Sequence, residues 1–290
     1  MVRIALVTDS TANLAPEWAR QHQVQVVPVY IQFEGVTYRD GLDMDTATFY
    51  RRLSSATTLP STSQPSAGDF LACYRSLAPK VDAIVSVHIS GELSGTVASA
   101  QAARQQLLAE MENPPEIHVI DSRVTSAAQA LLVTAAADMI AAGRAAAEVV
   151  SGVTGLIPRL FTAFIVDTLD YLRRGGRIGA AAALVGSLLQ IRPILQLRHG
   201  RVDVLGKMRT SRRARQRLLE IVVQEAGGRP IHAAVAHADA PEEGEDLRRY
   251  LSEHLDCREL FVVEFSPVVG AHSGPGTLAV AFYPEVGTNG

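Results

Sequence analysis

Short apolar segments alternate with helical patterns through the first half of the chain, and this alternation constrains the fold more than any other feature. Strands that alternate with helices form a parallel sheet with helices on both faces. The first half is therefore predicted to be a three-layer α/β domain. The strand candidates are Arg3–Val7, Val24–Phe33, Ala83–Ile89 and Ile117–Ile120, and the helical patterns are Leu14–His22, Asp45–Ser55, Ala67–Ala78, Val97–Glu110 and Ser126–Ala142.

The pattern changes near residue 150, where strands and helices no longer alternate regularly. The three residues Arg198–Gly200 between two strand candidates predict a hairpin. We therefore expect an α/β fold with two domains, a parallel-sheet domain at residues 1–155 and an α+β domain at residues 156–290. The later strand candidates are Thr162–Val166, Pro193–Leu197, Arg201–Leu205, Ile231–Ala238, Leu260–Phe265 and Thr277–Tyr283, and the helical patterns are Ala146–Pro158, Ala180–Leu189, Thr210–Ala226 and Pro241–His254.

Charge and composition argue against several classes of protein. The net charge of −3 over 290 residues gives no general attraction for nucleic acid or for an acidic membrane. Cys73 and Cys257 have no neighbours at metal-ligand spacing, and His232 and His237 are five residues apart on a predicted strand, so they face opposite sides. The N-terminus turns polar after four apolar residues, and the longest apolar segment is too short to cross a bilayer. We expect a cytoplasmic protein without a metal site.

The segment Val87–Ala100 predicts an anion-binding site. Its sequence V-H-I-S-G-E-L-S-G-T-V-A-S-A joins a strand candidate to a helical pattern through two Ser-Gly pairs. Free backbone N–H groups at a helix N-terminus attract anions. Because the segment contains no Lys or Arg, hydroxyl and amide groups would hold the anion, and this favours a carboxylate over a nucleoside triphosphate.

Two further loops contain groups that could bind the same anion. Residues 61–66 read S-T-S-Q-P-S, and the pair Ser66 and Asp69 suggests a capping box for the following helix. Simple capping would explain this loop, but its hydroxyls could also donate to a ligand. Residues 270–276 read G-A-H-S-G-P-G between two strand candidates. His272 could be a solvated residue in a tight connection, or it could donate to a carboxylate that the glycines allow to approach.

The sequence supports a catalytic or a nucleic-acid-binding function less well than it supports an anion-binding site. Ser94 and His272 could form the nucleophile and base of a serine esterase, although G-E-L-S-G at 91–95 is not the G-x-S-x-G elbow. The match to G-x-G-x-x-A at 274–279 precedes a strand instead of a helix, which argues against a dinucleotide site. The basic segment Arg198–Arg217 contains no Phe or Tyr for base stacking. It is either a solvated face or, together with Arg173, Arg174 or Arg177, a contact for a phosphate or an acidic partner.

Eight segments form an ordered set of motifs along essentially the whole chain. They read L-V-T-D-S-T-A-N-L at 6–14, Y-R-D-G at 38–41, T-S-Q-P-S at 62–66, L-S-G-T at 93–96, V-I-D-S at 119–122, D-T-L-D-Y-L-R-R-G-G-R-I at 167–178, R-P-I-L at 192–195 and the His272 loop with G-P-G at 274–276. In this order the set resembles the DegV family.

The resemblance implies a two-domain DegV-like fold that binds a long-chain fatty acid between its layers, with no cofactor and no catalytic residue. It further implies that the protein, like FakB-type members, presents the acid to a separate kinase that makes acyl phosphate for phospholipid synthesis. The family's carboxylate contacts correspond to Thr62, Ser94 and His272, with Ser63 and Gly95 beside the first two. The Arg associated with the phosphorylated head group corresponds to Arg209 in G-K-M-R-T, and Arg173 is a further candidate.

Physical chemistry agrees with an acyl ligand. Burial of ~14–16 methylene groups at ~0.8 kcal/mol each contributes a gross ~12 kcal/mol before ordering costs. Apolar burial would therefore supply the affinity, and neutral donors would orient a carboxylate that is costly to leave unpaired. We expect the apolar lining to come from Ala180–Leu195 and from strand residues such as Ile165 and Phe265.

Overall fold

The computed structural model describes residues 2–185 and 191–285, and thirteen strands and ten α-helices lie in these ranges. The strands are β1 (Ile4–Asp9), β2 (Gln25–Val27), β3 (Tyr30–Phe33), β4 (Val36–Arg39), β5 (Ser61–Ser63), β6 (Ala83–His88), β7 (Glu116–Asp121), β8 (Phe161–Ile165), β9 (Arg192–Arg198), β10 (Arg201–Met208), β11 (Ile231–His237), β12 (Cys257–Glu264) and β13 (Leu278–Pro284). The helices are α1 (Pro16–Gln21), α2 (Thr46–Ser55), α3 (Ala67–Leu77), α4 (Thr96–Glu110), α5 (Ser126–Ala141), α6 (Ala146–Leu156), α7 (Asp170–Arg174), α8 (Ser211–Ala226), α9 (Pro241–His254) and α10 (Pro267–Ser273).

Four strands form a parallel sheet in the order β2-β1-β6-β7. Every residue of β6 is buried, as expected for a strand that is covered on both faces. Helices α3 and α4 pack on one face, where Phe70, Tyr74 and Leu107 enter the core, and α5 and α6 pack on the other. This is the three-layer arrangement that the alternation of strands and helices predicted.

Six strands from the second half form a mixed sheet in the order β10-β9-β8-β13-β11-β12. Only β11 and β12 pair in parallel among the described strands of this sheet. Helices α8 and α9 cover one face through residues such as Leu218 and Leu247, and α5 covers part of the other face. The predicted α+β character of this half, including the hairpin at 198–200, is confirmed.

Helix α5 lies between the two sheets and is buried from Ser126 to Ala137. Its alanine-rich sequence keeps the side chains short, so both sheets can approach the helix closely. Leu131 and Ala136 of α5 belong to the same core cluster as Ala281 of β13 and Leu6 of β1. The largest core thus draws on both halves of the chain, and the division at residues 155 and 156 stays a prediction.

The continuous strand predicted over Val24–Phe33 is wrong. Pro28 and Val29 divide this segment into β2 and β3, and the two strands belong to different sheets. Pro28 has no N–H for a strand ladder, and the Val29 N–H donates to Ser10 Oγ at 3.1 Å instead. Strand β3 then pairs antiparallel with β4 and β5 in a three-stranded sheet that the sequence analysis missed.

Two loop or helix predictions also need correction. Residues 270–273 belong to α10 instead of a loop, because Pro267 at the first turn favours a helix start. The apolar segment predicted as a helix over Ala180–Leu189 forms a 3-10 helix over Gly179–Leu184, and its residues 186–189 lie outside the described residues. The capping box of Ser66 and Asp69 at the start of α3 is confirmed.

The hairpin between β9 and β10 contacts the carboxyl edge of the parallel sheet. Ser90 Oγ, after β6, donates to the Gly200 carbonyl at 2.9 Å, and Arg123 Nη2, after β7, donates to the His199 carbonyl at 2.8 Å. These bonds place the ends of β9 and β10 beside the loops that follow β6 and β7. In the ranges 2–185 and 191–285, no helix is both long and apolar enough to span a membrane.

Candidate functional site

A cavity lies between the carboxyl edge of the parallel sheet and the inner face of the six-stranded sheet, and its space together with the solvent at its mouth amounts to about 960 Å³. No Asp or Glu is among the described lining residues, and Arg177 is the one Lys or Arg there, so the charge favours an anionic ligand. The apolar walls include Val29, Ile89, Leu93, Phe164, Leu172, Leu197, Val202, Phe265, Val268 and Val269.

Thr62 and His272 meet at one polar wall of this cavity. Thr62 is the central residue of β5 and pairs with Ile31 of β3, and His272 lies in the last turn of α10. Thr62 Oγ1 and His272 Nε2 are 2.7 Å apart, a hydrogen bond between residues 210 positions apart in the chain. The structure therefore brings together two of the predicted carboxylate contacts, and Ser63 lines the same cavity.

His272 is held as a neutral imidazole at neutral pH. Burial of the ring, together with the nearby positive charge of Arg177, lowers the pKa of His272 to about 4. Its Nδ1 atom is buried and has no hydrogen-bond partner among the described residues. Gly175 permits this packing, because a Cβ atom at that position would overlap the imidazole ring. A neutral imidazole has one donor and one acceptor nitrogen, so the ring adds hydrogen-bonding capacity to this wall without a charge.

Ser94 lies at the second polar wall, in the turn between β6 and α4. Ser94 precedes α4 and Thr96 is the first residue of that helix. Their hydroxyl oxygens, Ser94 Oγ and Thr96 Oγ1, are 2.8 Å apart. Gly95 is the N-cap of α4 and makes no side-chain capping bond, so the N–H groups of the first turn have no side-chain partner at the cap. Gly95 does not itself line the cavity and packs against Gln64, which does.

Arg177 is the basic residue that the structure places in the cavity wall. Its Nε donates to the Leu93 carbonyl at 3.0 Å and its Nη1 to the Gly175 carbonyl at 2.6 Å. These bonds fix the guanidinium between the turn that contains Ser94 and the helix end beside His272. In the sequence, Arg177 is distinguished only as one of a group of basic residues, because the R-R-G-G-R motif does not show which arginine turns inward.

The two arginines predicted as site residues do not line this cavity. Arg173 is exposed in α7 and forms an ion pair with Asp170 at 3.0 Å. Arg209 is exposed in the connection between β10 and α8. Roles for these two residues toward a head group therefore stay predictions.

Four hydroxyl groups of the cavity wall were not predicted as site residues. Within the described ranges, each has a buried oxygen without a hydrogen-bond partner. They lie at three places in the fold, the start of α5, strand β8 and the end of α10, and serines and threonines in the sequence give no indication that these places meet at one cavity. The four residues are Thr125, Ser126, Thr162 and Ser273.

The predicted apolar lining is partly right. Phe265 lines the cavity, as expected. Ile165 does not, because alternate residues of β8 face opposite sides and Ile165 packs into the core under α8. The described residues within Ala180–Leu195 also lie outside the lining, and residues 186–190 are outside the described ranges.

Comparison with known proteins agrees with the motifs. The model of the family described as "Uncharacterised protein, DegV family" matches residues 3–285. The chain belongs to the DegV family. A DegV domain-containing protein of Deinococcus radiodurans is 37% identical, with 97% of this chain and 98% of that protein aligned. Protein DegV of Bacillus subtilis is 34% identical over 97% of this chain and 99% of its own length.

Solved structures of proteins described as binding fatty acids show the same fold. A fatty-acid-binding DegV family protein of Thermus thermophilus superposes with a TM-score of 0.91 at 35% identity, covering 98% of this chain and all of that chain. DegV of Bacillus subtilis, described as a fatty acid binding protein, has a TM-score of 0.88 at 32% identity, with coverage of 98% and 100%. A stearic-acid-binding protein of Eubacterium ventriosum has a TM-score of 0.89 at 27% identity, with 98% of each chain covered.

Proposed function

We propose that this protein is a cytoplasmic carrier that binds a long-chain fatty acid in the cavity, with the carboxylate held by Thr62, Ser94 and His272. The observation that carries the proposal is an apolar cavity whose polar walls contain these three residues and one arginine. Relatives of known structure that bind fatty acids support the choice of ligand. The tail would lie between α5 and the inner face of the six-stranded sheet.

The arrangement suits reversible binding of an acid. Hydroxyl groups and a neutral imidazole can hydrogen-bond a carboxylate, and Arg177 adds a positive charge nearby. Because neither Thr62 nor Ser94 is charged, the carboxylate keeps its own negative charge and stays available for reaction. Affinity would come from the apolar walls, and the polar groups would fix which end of the molecule faces the mouth.

A serine esterase that uses Ser94 and His272 is the alternative, and the geometry does not favour it. Ser94 Oγ bonds Thr96, and His272 Nε2 bonds Thr62. In a working Ser–His pair, one ring nitrogen of the histidine hydrogen-bonds the serine hydroxyl, and the other ring nitrogen hydrogen-bonds a group that orients the ring. His272 Nδ1 has no such partner in the described part of the chain. A fluorophosphonate probe should leave Ser94 unlabelled, whereas an activated serine would react.

Denaturing extraction of the purified protein, followed by lipid mass spectrometry, should release about one fatty acid per chain. The matched test of the head group is the double variant Thr62→Ala with Ser94→Ala. Loss of two hydrogen bonds to a charged group should weaken fatty-acid binding by roughly 100-fold or more at ~1.5–3 kcal/mol for each bond.

The control is the double variant Thr37→Ala with Ser252→Ala, which removes two exposed hydroxyls that do not line the cavity. It should keep the affinity of the wild-type protein. Repeated recovery of no fatty acid would overturn the carrier proposal. Unchanged affinity in the Thr62 and Ser94 variant would instead place the carboxylate elsewhere.

The carrier would present its acid to a separate kinase that forms acyl phosphate, as the FakB-type resemblance implies. An exposed basic surface supports a docking contact. It includes Arg209 before α8 and Arg212 and Arg213 in its first turn. Surface charges of this kind chiefly set the rate and specificity of association.

Charge reversal by Arg212→Glu with Arg213→Glu should lower the rate of acyl phosphate formation by about tenfold in a reconstituted kinase assay. The lipid content of the purified variant should equal that of the wild-type protein, because neither residue lines the cavity. An unchanged rate, or an equal fall in lipid content, would contradict a docking role for this surface.

A further inference from the structure

Three of the unpartnered hydroxyl groups lie apart from Thr62 and His272 in sequence and in secondary structure. Ser126 and Thr162 are only 4% and 8% exposed, and Thr125 has a buried hydroxyl oxygen. None of the three oxygens has a hydrogen-bond partner among residues 2–185 and 191–285, and all three residues line the cavity. Buried hydroxyls normally bond to protein, ordered water or a ligand, so three without a protein partner on one cavity are free to bond a polar ligand atom.

The fold indicates that these hydroxyls occupy facing walls. Ala163 of β8 pairs with Gln196 of β9, which sets Thr162 beside Leu197 near the hairpin. Arg123 binds the carbonyl of His199 in that hairpin, and Thr125 and Ser126 follow Arg123 at the start of α5. The hairpin end of the inner sheet face therefore lies against the beginning of α5.

The beginning of α5 adds polar groups to this region. The helix has 16 residues, and its N-cap Thr125 makes no side-chain capping bond. Ala127 and Ala128 of the first turn also line the cavity, so the positive end of the helix dipole faces the ligand space. A hydroxyl-bearing side chain both donates and accepts, and a free backbone N–H donates. Together these groups match a ligand oxygen and not a methylene group.

We propose that Thr125, Ser126 and Thr162 form a second polar subsite that binds an oxygen atom on the acyl chain, so that the preferred ligand is an oxygenated fatty acid such as a hydroxy acid. This inference rests on the proposed function, because it assumes a carboxylate at Thr62, Ser94 and His272. A plain alkyl chain would cover the three hydroxyls without satisfying them. A chain with one hydroxyl at the right depth satisfies them and keeps the remaining apolar contacts.

The test measures the affinity of delipidated protein for stearic acid and for a set of stearic acids with one hydroxyl at successive positions along the chain. At least one hydroxystearic acid should bind about tenfold more tightly than stearic acid. Thr162→Val, which keeps the shape and removes the hydroxyl, should reduce this preference to within about twofold. Ser126→Gly should act in the same direction, and glycine suits the positive φ of 52° at this position.

The matched control is Thr134→Val. Thr134 is a buried threonine of α5 whose hydroxyl donates to the Leu131 carbonyl, and it does not line the cavity. This variant should keep the preference of the wild-type protein. The subsite would be overturned if stearic acid bound as tightly as every hydroxy isomer, or if Thr162→Val left the preference intact. Failure of all the acids to bind would instead contradict the proposed function itself.

Discussion

Replacement of Ala279 with phenylalanine is expected to weaken the binding of a long-chain fatty acid by at least about 100-fold while the protein remains folded. Ala279 lies on β13 in the middle of the six-stranded sheet, is 6% exposed, and lines the cavity. A phenyl ring there would occupy space that the acyl chain needs. Displacement of four or five methylene groups at ~0.8 kcal/mol each would remove ~3–4 kcal/mol of binding free energy.

The control for this variant is Val280→Leu, one residue further along β13. Val280 faces the opposite side of the sheet and packs under α8 and α9. The Val280→Leu substitution should lower the free energy of unfolding by ~1–3 kcal/mol through overpacking and leave the affinity for the fatty acid unchanged. Titration with a fluorescent fatty acid measures the affinity, and thermal unfolding monitors the fold. Wild-type affinity in Ala279→Phe would show that the acyl chain does not use this cavity.

Replacement of Asp9 with alanine is expected to lower the free energy of unfolding by about 3–5 kcal/mol. Asp9 ends β1 and is completely buried. Four nitrogen donors reach its carboxylate: Ile89 N and His88 Nδ1 at 3.0 Å, Thr11 N at 3.1 Å and Gln129 Nε2 at 3.2 Å. The hydroxyl of Thr11 also donates to it. Removal of the carboxylate would leave these donors unpaired in the core.

Chemical denaturation of both proteins at several pH values checks this prediction. Burial by itself raises the pKa of Asp9, but the hydrogen bond and charge of His88, with the bonds from Thr11 and Ile89, bring it below its ordinary value. A lowered pKa adds stability above the ordinary pKa of about 4, and this stability disappears as the pH falls through the lowered value. The difference between wild type and Asp9→Ala should therefore shrink in acid.

Asp9→Asn is the matched variant, because it keeps the size of the side chain and one acceptor oxygen. It should destabilise the protein less than Asp9→Ala does. A loss below about 1 kcal/mol in Asp9→Ala would show that the network contributes little. Because Thr11 lines the cavity and Ile89 lies beside Ser90, the network also holds two turns of the cavity wall in place.

Patterns that repeat locally in the sequence predicted the parallel sheet, its covering helices and the hairpin at 198–200. The ordered motifs and the strand-to-helix turn at Ser94 directed attention to four residues that line one cavity: Thr62, Ser63, Ser94 and His272. Local patterns succeed there because the alternation of apolar residues and the turn residues act over a few positions.

The missed features depend on contacts between distant residues. Strand β5 reads only Ser-Thr-Ser, and it is a strand because Ile31 of β3 pairs with Thr62. Arg177 faces the cavity because Leu93, 84 residues earlier, accepts its hydrogen bond. Thr162 looks like any threonine in an apolar strand until α5 and the hairpin enclose it. The periodicity of residues within one segment does not predict contacts of this kind between distant segments.

The cavity also has a thermodynamic consequence, because its walls come from the first half and the second half of the chain. Val29 and Ile89 contribute from one side, and Phe164 and Ala279 from the other. A bound acyl chain therefore serves as a removable part of the hydrophobic interior. A ligand at 100 times its Kd would stabilise the folded chain by about 2.7 kcal/mol. Preparations that contain loaded and empty molecules should melt over two ranges, and the empty molecules should be digested first by a protease.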